Sequence, residues 1–470
     1  MIIEQIKEFS SLGEIITGDD KEKKLINKIK KYLELYKIET RILPISVLHW
    51  NVIESHVECN GKKIMAILLP YSISHDIETE KYCISKVKNI NEIYINYNLY
   101  INKCDIIILT LDEILRKTVI IFGSPLQHFP NPPPPIPVYY VPMNEIISIN
   151  GKCRFYSKVK INPNAIGYII EGIIPSKSDN AVVVSVHHDH WFNGEHDNLL
   201  GVSLLPFIRS DKYQLHLISF TATESGARGF STFYWAYGSK VYLQKIIKDS
   251  NTISFNVNID AIFGEPKIYV PPSLIIPINE FRIKNKIEVF SDSYNFIKYG
   301  IPSINITSVD KNKIHSEKDI IEKIDFNVIN KIINVINKII NNNININKNE
   351  FERFSNNILK FLPLKLKSYF VNIIDNINNM PNYKLFLKLY GAIIDNNSTK
   401  LDAIPFHKIY QITNLIKGKI IYAEDSKINN FIYKSNINYN RFYNIYLNEL
   451  LKDTEEYYID FIYRNLKEFL

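Results

Sequence analysis

Four short apolar runs, Ala181–Val186, Leu215–Phe220, Ile253–Ile259 and Ser303–Thr307, alternate with stretches of helical period between residues 166 and 340. Runs that are apolar at successive positions must be covered on both faces, and a chain achieves this with a parallel sheet flanked by helices. After them, Phe326, Ile329, Ile332, Ile333, Ile336 and Ile340 recur at helical spacing and predict one such covering helix. The fold class is therefore α/β.

The rest of the chain divides around that segment. Residues 1–44 read as helical, with Ile6 and Phe9 and then Leu25, Ile29, Tyr32, Leu33 and Tyr36 at helical spacing, and Thr17-Gly18-Asp19-Asp20 offering caps. Over 45–165 the pattern shifts to strand-like runs such as Lys63–Leu69, Asp105–Leu109 and Thr118–Phe122, with an extended proline segment, Pro130–Pro137, among them. The Asn-rich stretch 341–350 reads as a linker. Residues 351–470 read as a helical domain with one histidine, His407, and no constellation of chemical groups. Packing or homo-oligomerisation is the role expected of it.

Composition narrows the function classes. A chain of 470 residues, 46% hydrophobic and 22% charged, buries sizeable cores and is not globally disordered. No apolar run reaches the ~18 residues of a membrane span, and Met1–Gln5 opens an amphipathic stretch rather than a leader, so a cytoplasmic protein without a membrane partner is expected. The net charge of +7 is small beside 56 basic and 49 acidic side chains spread along the chain, which argues against a nucleic-acid partner. Cys59, Cys83, Cys104 and Cys153 lack the short paired spacing of a zinc knuckle or redox motif and are expected to be buried thiols.

Chemistry concentrates at the ends of the apolar runs. Four of the 11 histidines, His187, His188, His190 and His196, lie within ten residues directly after the first run. The second run ends in Thr223-Glu224, the third in Asp260, and the fourth leads to a loop reaching His315. Ligands of open α/β sheets bind beyond the carboxyl ends of the strands. His187, Glu224, Asp260 and His315 are thus delivered to one edge, and Asp197 sits at the start of a helical stretch beside them. Two imidazoles and three carboxylates suit a pair of zinc ions, since both donor types bind zinc and one carboxylate can bridge two metals.

The order of these motifs resembles that of the co-catalytic zinc aminopeptidases, peptidase family M-twenty-eight, which includes bacterial leucyl aminopeptidases and relatives such as glutamate carboxypeptidase and the transferrin receptor. That family's His-x-Asp is matched by His187-His188-Asp189, its Asp-Asn by Asp197-Asn198, its Asn-x-Asp by Asn258-Ile259-Asp260 and its final His-Thr/Ser by His315-Ser316. Its Glu-Glu-x-Gly is partly matched by Thr223-Glu224-Ser225-Gly226. Ser291-Asp292, with Phe296 and then Gly300-Ile301-Pro302, is similar to its Ser-Asp-x-x-x-Phe and Gly-Ile-Pro. The resemblance implies a phosphorylase/hydrolase-like three-layer αβα sheet from 1–44 and 166–340. It also implies an inserted β-rich, protease-associated-like domain over 45–165, and it leaves the C-terminal helical domain unexplained. His187 and Asp260 would bind one zinc, Glu224 and His315 the second, and Asp197 would bridge them. Asp189 would hold the ring of His187, and the peptide bond after Asp197 would be cis.

One departure bears on activity. The family's first glutamate of the Glu-Glu pair is the general base, and Thr223 stands there in this chain. A missing base costs ~10²–10⁴ in rate. Glu195 and His196, close to Asp197, are candidates to replace it. The function expected from the resemblance is an aminopeptidase acting on peptides through two zinc ions. The alternatives are a catalytically silent relative with a binding or structural role, and a two-metal hydrolase of another bond or an aminoacyl cyclase.

Overall fold

The computed structural model describes residues 2–70, 72, 74–87, 103–111, 137–227, 236–245, 252–288, 291–322 and 325–359, with single positions at 380, 383, 384, 386 and 387. The strand-like run at 118–122, most of the proline segment and nearly all of the C-terminal helical domain lie outside the described residues. No described helix is long and apolar enough to cross a membrane.

The N-terminal half supplies β1 (Glu39–Cys59), β2 (Lys62–Ile64), β3 (Ile67–Leu68), β4 (His75–Thr79), β5 (Tyr82–Val87), β6 (Ile106–Leu111), β7 (Val138–Tyr140) and β8 (Cys153–Ile174). After it come β9 (Ala181–His187), β10 (Gln214–Phe220), β11 (Ile253–Ile262), β12 (Lys267–Val270), β13 (Leu274–Ile275), β14 (Arg282–Asn285), β15 (Ser303–Ser308) and β16 (Asn345–Ile346). A ten-stranded sheet runs in the order β14-β12-β15-β11-β9-β10-β8-β1-β2, with β4 also paired to β8. The four expected runs form its centre and are mutually parallel. The flanks are not. β8 runs antiparallel to β10, and β12 antiparallel to β15, so the sheet is mixed.

Alternate residues of the central strands serve two cores. Val182, Val184 and Val186 of β9, with Val257 and Ile259 of β11, face a layer holding helices Ile2–Ser10, Asp20–Leu35 and Phe326–Asn341. Val183 of β9, with Ile218 and Phe220 of β10, faces the opposite layer, where helices Tyr237–Lys245 and Ser293–Lys298 pack. Three layers result. Helix Phe326–Asn341 contributes six fully or nearly fully buried Ile and Val side chains, each worth roughly 1.5–3 kcal/mol on burial, and Asp325 caps it by accepting from Asn327 N. Phe326, expected on the same face, is instead exposed at the helix start.

β1 and β8 are paired along their whole length, from Glu39 opposite Ile173 to Cys59 opposite Cys153. The same two strands therefore belong to the main sheet at one end and to a β-rich unit at the other, passing residues 45 and 165 without interruption. The core changes where the register first shifts: Val47 packs with the main sheet, Leu48 and Trp50 with a second core that includes Ile106, Ile108 and Tyr139. A four-stranded sheet, β3-β7-β6-β5, completes the described part of that unit.

Two expectations are corrected here. The cysteines are paired, Cys59 with Cys153 and Cys83 with Cys104. The first pair is 94 residues apart in sequence, and only the β1/β8 register sets it face to face, with Cα atoms 4.3 Å apart. The Asn-rich stretch is also no free linker. Asn345 and Ile346 pair with Ile275 and Leu274, and Asn341 Oδ1 accepts from Asp211 N at 2.9 Å. Asparagine side chains offer both donors and acceptors, and here they tie the end of the covering helix to loops beneath it.

The expected outcome of thiol titration on the denatured, unreduced protein is no free thiol, rising to four after reduction. Reduction should also lower folding stability by about 2–4 kcal/mol, measured by denaturant unfolding.

Candidate metal centre

Strand register builds the first half of the centre. β9 and β11 are parallel with Ser185 opposite Asn258, so the period-two alternation carries His187 and Asp260 onto the same face, one step beyond. That face is already polar: Ser185 Oγ donates to the side-chain oxygens of Asn256 (3.0 Å) and Asn258 (2.7 Å), and Asn258 Nδ2 donates to Asn305 Oδ1 (2.9 Å). At its end His187 Nε2 lies 3.4 Å from Asp260 Oδ1.

Three loops bring in the rest. Asp197 follows Gly194, a left-handed residue (φ 52°) at which a Cβ would fall 2.3 Å from the His190 ring, so only glycine fits. The Asp197–Asn198 peptide bond is cis, and Asn198 Nδ2 donates to Ile259 O. His315 also holds a left-handed conformation (φ 55°), the kind of backbone strain that tends to occur at functional sites. The two oxygens of Asp197 part company: Oδ1 lies 3.2 Å from His187 Nε2, Oδ2 3.3 Å from His315 Nε2. Glu224 Oε2 is 2.9 Å from the same His315 nitrogen. His187, Asp197 and Glu224 each present a ligand atom within 4.8 Å of the others.

The donor set fits divalent cations. Asp197 Oδ1, Glu224 Oε2 and His315 Nε2 are buried and make no hydrogen bond, although their neighbours stand at hydrogen-bonding distance. Close approach without alignment is what lone pairs aimed at a common central cation produce. Electrostatics agree. Burial pulls the His315 imidazole down, but Glu224 and Asp197 outweigh it and push it up to about 10. His187 is likewise depressed by burial and raised overall by Asp197 and Asp260. Burial raises Asp260, whereas Asp197, despite burial, is held low by the two imidazoles. In this arrangement protons on the histidines occupy the role that cations would take.

The surroundings correct several expected roles. The ring of His187 is oriented by the backbone carbonyl of Asp189, 3.0 Å from Nδ1, and not by its carboxylate. The Asp189 carboxylate instead accepts from Thr223 N (3.1 Å) and Glu224 N (2.9 Å), fixing the turn that presents Glu224. Glu195 is occupied by Lys7 Nζ, Ser10 Oγ and Ile321 N, which join the first helix to the loop of Asp197. Both carboxylate oxygens of Glu195 are thus engaged. His196 Nδ1 donates to Ile262 O at 2.6 Å, and its ring stacks on Phe263, with ring centroids 4.6 Å apart. His188 and His190 are structural too, bonded at Nδ1 to Ser219 Oγ and His188 O, so one histidine of the dense cluster reaches the centre. Thr223 donates to Asp292 Oδ2 at 2.9 Å.

Asp319 and Asp292 are buried carboxyls to which the sequence assigned no role. Asp319 accepts from His196 N at 2.8 Å and steadies the Asp197 loop. Asp292 lies in the Ser-Asp motif noted above, which was the available signal for it.

No family model matches the sequence, and no curated protein matches it. Solved structures do match. A zinc aminopeptidase from Bacillus subtilis is similar over 72% of this chain and 93% of its own, at 17% identity and a TM-score of 0.55. A peptidase M28 precursor from Shewanella amazonensis matches over 74% of this chain and 94% of its own, at 10% identity and a TM-score of 0.54. The chain shares the fold of these peptidases. A putative peptidase from Clostridium acetobutylicum has the same aminopeptidase fold, with a TM-score of 0.50 at 12% identity, over 72% of this chain and 79% of its own.

The charge pattern predicts a pH response of the metal-free protein. His315 has its folded value raised from 6.5 to about 10, so its contribution to stability is full below 6.5 and is lost as pH rises through the folded value. Unfolding of chelator-treated protein should therefore become easier between these limits, and added zinc should abolish that trend because it replaces the protons.

Proposed function

We propose that this chain is a metallo-exopeptidase that removes N-terminal residues from peptides at a centre holding two zinc ions. The observation that carries the reading is the division of Asp197, one oxygen toward His187 and the other toward His315. His187 and Asp260 would hold one ion, Glu224 and His315 the other, and Asp197 both. The two bound cations would supply Lewis acidity for the scissile carbonyl and acidify the attacking water. The chain's own contribution is rigidity and dryness. All five ligand residues are held by strands or by loops pinned through Asp189, Glu195 and Asp319, which keeps the reacting atoms in one geometry. The likeness to zinc aminopeptidases of the same fold supports peptide as substrate.

The β-rich unit bears on access. Its core takes in Trp191 and Ile16, residues of the loops that flank the centre, so it is seated against the site. Short peptides rather than folded proteins are the substrates this favours. The two disulfides favour an oxidising compartment over the cytoplasm. Homo-oligomerisation through residues 351–470 remains a proposal from sequence. A second reading, a silent relative that keeps the fold for binding, is favoured by Thr223 at the base position.

Purified protein should carry close to two zinc-like ions per chain by elemental analysis and cleave short aminoacyl substrates, with Asp197→Asn losing both properties. Absence of bound metal, with no stabilisation by added zinc or cobalt, contradicts the metallo-exopeptidase. Bound metal without turnover on any aminoacyl substrate overturns the exopeptidase reading and favours the silent relative.

A further inference from the structure

Asp292 occupies the N-cap position of helix Ser293–Lys298, where an aspartate ordinarily accepts from the helix's own N–H groups. It makes no such bond. Its carboxylate turns instead into the protein, where Oδ2 accepts from Thr223 Oγ1 at 2.9 Å and Oδ1 has no hydrogen-bond partner among the described residues. Asp292 is fully buried and Thr223 nearly so. A buried aspartate that forgoes its cap and has one oxygen without a partner among the described residues is a costly arrangement for packing alone.

We propose that Thr223 and Asp292 act together as the proton acceptor of the site, with the Thr223 hydroxyl as relay and Asp292 as the group that stores the proton. The proposal rests on the peptidase reading. Thr223 directly precedes Glu224, its backbone N–H is held by the Asp189 carboxylate, and its hydroxyl donates to Asp292, whose carboxyl feels the charges of His187 and Asp260. A hydroxyl by itself is too weak a base at neutral pH, but it can accept one proton while passing its own onward. As water attacks the scissile carbonyl carbon, its proton moves to Thr223 Oγ1 and the original Thr223 proton moves to Asp292 Oδ2. The carbonyl π pair goes to oxygen. When that pair returns and the C–N bond breaks, the proton travels back from Asp292 through Thr223 to the leaving nitrogen. The new carboxylic acid releases its own proton to solvent.

The surroundings suit storage. Burial pushes the Asp292 carboxyl up to about 7, against the pull of His187 and of the Ser239 and Thr223 hydroxyls, while Asp260 raises it further. His187 and Asp260 are the charged groups that face it from the sheet, and Ser239 faces it from helix Tyr237–Lys245.

The test uses the metal-loaded full chain. Thr223→Val and Asp292→Asn should each lower kcat by ~10²-fold or more with KM and metal content little changed, and the double variant should fall no further than either single one. Thr223→Ser, which keeps the hydroxyl, should recover most of what Thr223→Val loses. The acid limb of the kcat profile should disappear in Asp292→Asn. Infrared titration should show a carboxyl band that is absent from Asp292→Asn and shifted in Thr223→Val. Thr223→Glu should gain less than ~10-fold, because the native pair already supplies the acceptor. An active wild type whose kcat and pH profile ignore both substitutions overturns the relay alone, as does a gain of ~10² or more in Thr223→Glu. A metal-bearing wild type that cleaves nothing overturns the relay and the peptidase reading together.

Discussion

Asp197, Glu224 and Asp260 bring three carboxylates into one buried volume, and their mutual repulsion has to be offset by positive charge that the described protein supplies only through His187 and His315. Burying unpaired charge is expensive, so such a cluster persists only if something cationic repays it. Much of the surrounding structure can be understood as support for that cluster. The register of β9 against β11 sets His187 beside Asp260, and the loops that carry Asp197, Glu224 and His315 are each anchored by backbone hydrogen bonds to a further buried acid.

Those anchoring acids act in different ways. Asp189 receives two N–H groups of the Glu224 turn, while Glu195 collects a lysine, a serine and a backbone N–H from three separate segments. Asp292 differs from both in having one oxygen without a partner among the described residues. Polar groups that satisfy one another completely rigidify a site.

The β-rich unit is joined to the main sheet by continuous strands, not by a hinge. β1 and β8 pass from one core to the other, and the Cys59–Cys153 bridge locks their far ends. Motion of the unit relative to the centre would bend a paired two-stranded ribbon and part its hydrogen bonds, so a fixed wall beside the site is the more natural description than a mobile lid.

The sequence by itself determined the central strands, the covering helix and the gathering of five chemical side chains at one sheet edge, because each depends on local pattern: apolar runs, helical spacing, and chemical residues placed directly after strands. What it could not determine depended on contacts distant along the chain. The disulfides follow from a strand register, and the antiparallel flanks of the sheet from how β8 and β12 are threaded. The Asn-rich segment read as a linker because its anchoring partners, such as Asp211 and Ile275, lie far upstream. The histidine cluster looked uniform in sequence, and only folding divided it, setting His187 among the carboxylates of the candidate centre and bonding His188, His190 and His196 through Nδ1 to backbone and hydroxyl partners. Residue type and local spacing fix what a side chain is able to do, while the tertiary structure decides which partners reach it first and so whether that capacity remains free.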